Sequence, residues 1–170
     1  MEQPNRFTRA TPFALWGLDG AAVSRPVTLT TLDVARRFLG VEEQAGPGSN
    51  PLVLAWLRMA QAWPASDAVP WCGAFVGFVA HVLGLPTPLP HKLLAARSWL
   101  NVGEHIESKD AQPGDVVVLE RGGSPTAGHV GFFAGWGPRP GTIRVLGGNQ
   151  ADSVSYATFS AGAVLGFRRL

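Results

Sequence analysis

A thiol nucleophile needs a base, and the chain holds one cysteine and four histidines. Cys72 opens an apolar stretch that reads as a helix. Unpaired N–H groups and the helix dipole at such a start favour an anion, a recognised way to lower a thiol pKa. The plainer alternative is an inert cysteine, because Cys is among the most buried residue types. His81 lies on the same helix and points away from Cys72 at about 100° per residue. His91 and His105 fall in polar or loop segments and read as surface residues. His129 differs: it begins an apolar strand after the Gly-rich loop 122–128. It is the candidate base, with a structural strand-start histidine as the alternative.

An imidazole base is usually held by a third group that fixes its tautomer. Asn149, Gln150 and Asp152 are the candidates. If strands 129–136 and 142–149 form a hairpin, Asn149 returns to the end of the sheet where His129 starts. Asn149 is therefore expected to orient the base, against the alternative of a plain turn residue in Gly147-Gly148-Asn149-Gln150. Trp71 and Trp99, and also Gln150, are candidates to line a substrate cleft, while Trp16, Trp56 and Trp63 are expected in the core. Glu42-Glu43 reads as solvated charge. No Cys/His pair has zinc-ligand spacing, and there is no phosphate-binding glycine loop.

These residues must be positioned by the elements around them. Thr30 or Thr31 can cap a helix running to Phe38-Leu39, with Gly40 as its stop. Asn50 can cap a second helix with Pro51 at its first position and an apolar face of Leu52, Trp56, Leu57 and Met59. A third helix runs from Trp71 to Leu83. It is apolar nearly all round, so it should be buried. Gly73, Gly77, Ala80 and Gly84 form a stripe of small residues, expected to let strand 129–136 approach at Gly131. Beyond Gln112 the segments 115–120, 129–136, 142–147, 153–159 and 163–169 read as five short strands joined by turns. Helices first and antiparallel strands second give an α+β fold, with the central helix packed on a five-stranded sheet. Residues 1–28 lack periodicity and read as an irregular N-terminal arm. Residues 29–170 read as a single domain.

Composition narrows the classes of function. The 170 residues, 46% hydrophobic and 15% charged, are ample for one core and argue against disorder. With 21 Gly and 14 Pro, a helical bundle is excluded. The longest apolar stretch is too short for a membrane span. A net charge of +2 without a Lys/Arg run argues against nucleic-acid binding. A single cysteine allows no internal disulfide. The first residues do not read as a secretory signal, so synthesis in the cytoplasm and another route of delivery to the periplasm or cell wall are expected.

Five motifs occur in order: Pro70-Trp71-Cys72-Gly73-Ala74-Phe75-Val76, Ala96-Arg97-Ser98-Trp99-Leu100, Pro113-Gly114-Asp115-Val116-Val117-Val118, Gly128-His129-Val130-Gly131-Phe132 and Leu146-Gly147-Gly148-Asn149-Gln150. Together they resemble the NlpC-like and CHAP (cysteine, histidine-dependent amidohydrolase/peptidase) cell-wall hydrolases of the papain-like fold. The segment Gly40-Val41-Glu42-Glu43 with 46–51 resembles the approach segment of one compact branch. The resemblance implies a cysteine amidase or peptidase that cuts an amide bond of peptidoglycan without a metal or cofactor. The bond would be the muramoyl-alanine amide or one within the stem or cross-link peptide. Cys72 resembles the nucleophile, His129 the base and Asn149 the orienting residue. Trp71-Cys72-Gly73 replaces the Asp-Cys-Ser of many NlpC-like members, and Asn replaces their third His, so the pattern leans toward CHAP. The implied partner is the peptidoglycan stem peptide, met by a monomer. The role could be that of a phage lysin, or of a secreted antibacterial effector with a cognate immunity protein. The alternatives are an inactive wall-binding or phage structural module and a cytoplasmic cysteine peptidase.

Overall fold

The computed structural model describes residues 28–46, 48–63 and 66–170. The expected arm, 1–28, lies outside them except for its last residue. Residues 31–170 form one compact unit. Three α-helices come first: α1 (Thr31–Ala35), α2 (Pro51–Met59) and α3 (Cys72–Val82). Six strands follow: β1 (Glu104–Ile106), β2 (Val116–Glu120), β3 (Gly128–Trp136), β4 (Thr142–Gln150), β5 (Ser153–Ser160) and β6 (Val164–Arg169). They make one antiparallel sheet in the order β1-β6-β2-β3-β4-β5. The α+β reading holds, with six strands where five were expected. The extra one, β1, has three residues and one buried side chain, Ile106, too short for an alternating signal.

Local chemistry accounts for the helices. The Asn50 side chain accepts from the Leu52 N–H at 2.9 Å and caps α2, with Pro51 in the first turn. Its buried face is Val53, Trp56 and Leu57; Leu52 and Met59, expected on that face, point outward. Trp63, also expected inside, is 77% exposed, with Arg58 stacked over it. α1 gives way to a 3-10 turn at Arg36–Phe38. Phe38 meets Trp56, Phe75 and Phe78 at ring-centroid distances of 5.0–6.4 Å. Such aromatic pairs add about 0.5–1.5 kcal/mol each beyond their buried area.

α3 is buried along most of its length, as its composition requires, and it packs on β3 and β4. Its small stripe does not receive β3. A Cβ on Gly73 would lie 3.0 Å from the Leu94 backbone, and one on Gly77 would lie 2.6 Å from the Leu93 side chain. Residues 93–94 cover Gly73 and Gly77 instead, while nothing lies within 4 Å of a Cβ on Gly84. Gly131 faces β4: a Cβ there would lie 2.6 Å from Val145 and 2.9 Å from the Leu146 carbonyl. The sheet buries both faces. Val130, Phe132 and Leu146 join the helical core, while Leu119, Phe133, Val145 and Phe167 form a second cluster on the far side.

Candidate active site

β3 and β4 pair from Trp136↔Ile143 to Phe132↔Leu146, and beyond that the ladder opens. The α3 start packs against Gly148, beside the opening. A Cβ on Gly148 would collide with the Trp71 ring and lie 2.8 Å from Phe75 Cβ, so only glycine fits there. Phe133 donates to the Asp115 carbonyl on the β2 side at 2.8 Å. By alternation the Val130 N–H points toward β4. No ladder partner meets it there, and it lies close enough to the Cys72 sulfur to favour a thiolate. The nucleophile candidate therefore sits one residue from His129, at the mouth of the open ladder.

Cys72 is buried. Burial pushes its thiol up, and the N–H groups of Val130, Gly73 and Cys72 together with the Arg121 charge only partly offset this. Desolvation thus opposes the thiolate expected from the helix start and outweighs the helix-end donors. Burial also pushes His129 down; its bond to Gln150 opposes that and the Arg121 charge reinforces it. Both shifts favour the neutral forms, thiol and imidazole. The exposed Arg121 acts on both groups.

The third residue brings a correction. His129 Nε2 lies 3.0 Å from Gln150 Oε1, while the Asn149 amide donates to Glu43 Oε1 at 2.7 Å. A β-bulge explains the exchange. Gly147 faces His129: a Cβ there would lie 3.0 Å from His129 Nε2. In a regular strand Asn149 would share that face. Asn149 instead adopts φ +57°, and the β4–β5 register shifts between Gly147 and Gln150. The bulge turns Asn149 away and Gln150 toward the imidazole. Ala151 and Asp152, also at positive φ, then close a tight turn to Ser153. β4 thus runs three residues past its expected end at Gly147.

Gln150 fixes the tautomer. Its amide nitrogen donates to the Ser155 carbonyl, with the Val145 carbonyl 3.5 Å away. Its oxygen therefore faces His129 and can only accept, so His129 carries its proton on Nε2. Nδ1 is left with a lone pair, as a general base requires. The ring also stacks on Phe159 at 5.5 Å.

Trp71 and Trp99 do not line a cleft. Both are fully buried; the Trp71 indole donates to Glu43 at 2.7 Å and the Trp99 indole to the Leu93 carbonyl at 3.2 Å. Gln150, also expected to touch substrate, is 7% exposed with both ends of its amide engaged. His91 and His105 are exposed, as expected, and His81 is exposed as well. Glu43 was missed: it read as solvated charge but accepts from both Trp71 and Asn149. Its place in the 40–51 approach segment was the available signal. Among the described residues no group of three or more His, Cys, Asp or Glu could hold a metal, and no helix is long and apolar enough to cross a membrane.

Comparison with known proteins agrees with this architecture. The chain matches the CHAP domain over residues 64–149, half of its length. Among solved structures it is similar to the P60 domain of an antigen from M. avium subspecies paratuberculosis, at 17% identity and a TM-score of 0.51, covering 82% of this chain and 91% of that one. It is also similar to a hypothetical invasion protein of Mycobacterium tuberculosis (17% identity, TM-score 0.52) and to the resuscitation promoting factor interacting protein RipA (18%, 0.51). In each of those cases 82% of this chain covers 60% of the other. At such identities the likeness speaks for the fold alone. No curated protein matches by sequence. The matched CHAP segment carries Cys72, His129 and the opening between β3 and β4, and the chain belongs to the CHAP domain family of papain-like, peptidoglycan-related hydrolases.

Proposed function

We propose that the chain hydrolyses an amide bond of a peptidoglycan peptide, with Cys72 as nucleophile, His129 as base and Gln150 as the orienting residue. The observation that carries this reading is the Gln150 amide, anchored on the Ser155 carbonyl, which leaves Nδ1 of His129 unprotonated beside the Cys72 end of β3. Nδ1 takes the thiol proton as the sulfur attacks the substrate carbonyl carbon, so charge develops only during the reaction. The Cys72 N–H, at the helix start, donates to the developing oxyanion. The imidazolium then gives its proton from Nδ1 to the leaving amine, and the acyl group stays on sulfur as a thioester. Water loses a proton to Nδ1 and attacks the thioester. The thiol leaves, recovering that proton, and a carboxylic acid departs.

Peptidoglycan places the reaction outside the cytoplasmic membrane. The test is dye release from labelled sacculi. The wild type should release dye, and Cys72→Ala should lower the rate by at least about a thousandfold, because the covalent step disappears. A wild type that binds sacculi and releases nothing would mark an inactive wall-binding module. Mass spectrometry of the released muropeptides names the bond that is cut.

A further inference from the structure

We propose that Glu43 is a positioning residue for this site, fixing the nucleophile-bearing helix and the His129-orienting strand relative to each other through one carboxylate oxygen. The proposal rests on the Cys72/His129 reading above. Glu43 Oε1 accepts from Trp71 Nε1 at 2.7 Å and from Asn149 Nδ2 at 2.7 Å. Trp71 is the residue before Cys72 and the cap position of α3. Asn149 is the residue before Gln150 and the one whose left-handed backbone aims Gln150 at His129. One oxygen thus joins the two chain segments whose separation sets the distance from thiol to imidazole. Charge-assisted bonds of this length are roughly twice as strong as neutral ones.

Glu43 is itself held on both sides. Its N–H donates to the Asp152 carbonyl at 2.9 Å, and Val154 donates to the Val41 carbonyl at 2.7 Å, so residues 41–43 run alongside the start of β5. Asp67, buried, accepts from the N–H groups of Gln44 at 3.0 Å and Asn50 at 2.7 Å. Burial raises the Asp67 pKa, but these donors outweigh it and hold the carboxyl below its ordinary range. The loop carrying Glu43 is therefore anchored before the carboxylate makes its two contacts. Without the carboxylate, the Asn149 amide loses its partner, and the bulge that swaps Asn149 for Gln150 loses a side-chain tie.

Charge and oxygen position can be separated by substitution. Glu43→Gln keeps an acceptor oxygen with two lone pairs at the same reach. Glu43→Asp keeps the charge and withdraws the oxygen by one methylene. Positioning predicts that Glu43→Gln stays within about fivefold of wild-type kcat on a soluble muropeptide. Glu43→Asp and Glu43→Ala should lose roughly tenfold to a hundredfold in kcat with KM within about threefold, since misplacement by about 1 Å costs that much. The 15N shifts of the His129 ring supply a readout that needs no turnover. Wild type and Glu43→Gln should show the Nε2–H tautomer alone, and Glu43→Asp a mixture of tautomers. A Glu43→Asp variant as active as wild type, with an unchanged His129 spectrum, overturns the proposal. So does a Glu43→Gln variant that raises KM and leaves kcat intact, which would assign the carboxylate to a substrate ammonium group. If the wild type cleaves no peptidoglycan, the hydrolase reading fails, while the His129 spectra still decide the role of Glu43.

Discussion

On the Cys72 side of the site, the flanking side chains are apolar and fully buried. Trp71 and Phe75 lie against Trp56 at ring-centroid distances of 5.7 and 5.2 Å, and Gly148 presses on both. On the His129 side, the ring is aimed by a polar chain from Nε2 to the Gln150 amide and on to the Ser155 carbonyl. Cys72 is thus placed by packing and His129 by hydrogen bonds. Packing fixes position through volume and tolerates no added atom. A polar chain fixes orientation and protonation, and it fails when one member is removed. The Glu43 carboxylate reaches from one region to the other.

The packed side should break hardest. Gly148→Val places a branched side chain into the Trp71 ring and Phe75. Overpacking of this kind costs about 1–3 kcal/mol. The same displacement moves Trp71, and with it the start of α3, so dye release from sacculi should fall by a hundredfold or more. Normal melting with normal turnover would mean that the start of α3 does not press on Gly148.

The polar side should fail by a smaller factor and in a different way. Gln150→Ala removes the group that fixes the His129 tautomer and leaves the Ser155 carbonyl without its donor. Turnover should drop by roughly tenfold to a few hundredfold, less than for His129→Ala, because Gln150 orients and transfers no proton. Asn149→Ala should cost less than Gln150→Ala. The reverse order would return the orienting role to Asn149, where regular alternation puts it.

That reversal shows what the sequence could and could not tell. That Cys72 opens a helix and His129 lies at the start of a strand was legible from residue type and motif order. The α+β order and the buried α3 were legible from periodicity. The partner of His129 was misread because Gly-Gly-Asn reads as a turn, and nothing local announces that the strand continues through a bulge at Asn149. The small stripe of α3 was read correctly as a close-approach surface but given the wrong partner. Leu93 and Leu94 cover its Gly73 and Gly77 from a segment with no regular element to predict. The approach segment marked the place of Glu43, but its contacts were illegible because both partners are distant in the chain.

A pH series sharpens the comparison, since the two groups are pushed in opposite directions. Burial lowers His129 from its ordinary 6.5. As pH falls below 6.5, the unfolded chain takes up this proton before the folded one, so stability declines on the acid side. Burial raises Cys72 from its ordinary 9.0. As pH rises above 9, the unfolded chain loses the thiol proton first, so stability declines on the alkaline side as well. Between those values the two groups together favour the folded state most. Chemical denaturation across pH 5 to 10 should show the alkaline limb shrinking in Cys72→Ala and the acid limb shrinking in His129→Gln. Iodoacetamide should alkylate folded Cys72 slowly at pH 7 and faster as pH rises past 9. Rapid alkylation at pH 6 would instead show a preformed thiolate, stabilised by His129 in its charged form.

The smallest effect is expected where the two regions are joined at a distance. Asn50 caps α2 through the Leu52 N–H, and its amide also donates to the Glu42 carbonyl at 2.8 Å, next to Glu43. α2 carries Trp56, which packs on Trp71, so Asn50 touches the packed side through the helix and the polar side through the loop. Loss of an N-cap side chain typically costs about 1 kcal/mol. For a chain of this size that lowers Tm by about 2–4 °C. The loop keeps its other anchor on Asp67, which uses backbone N–H groups that Asn50→Ala retains. Asn50→Ala should therefore melt slightly early and keep turnover within about threefold of wild type at 25 °C. Asn50→Ser, which can still cap α2 but cannot reach the Glu42 carbonyl in the same way, should recover most of the lost Tm. A large loss of turnover in Asn50→Ser with its Tm recovered would show that the Glu42 contact, and not the helix, holds Glu43 in place.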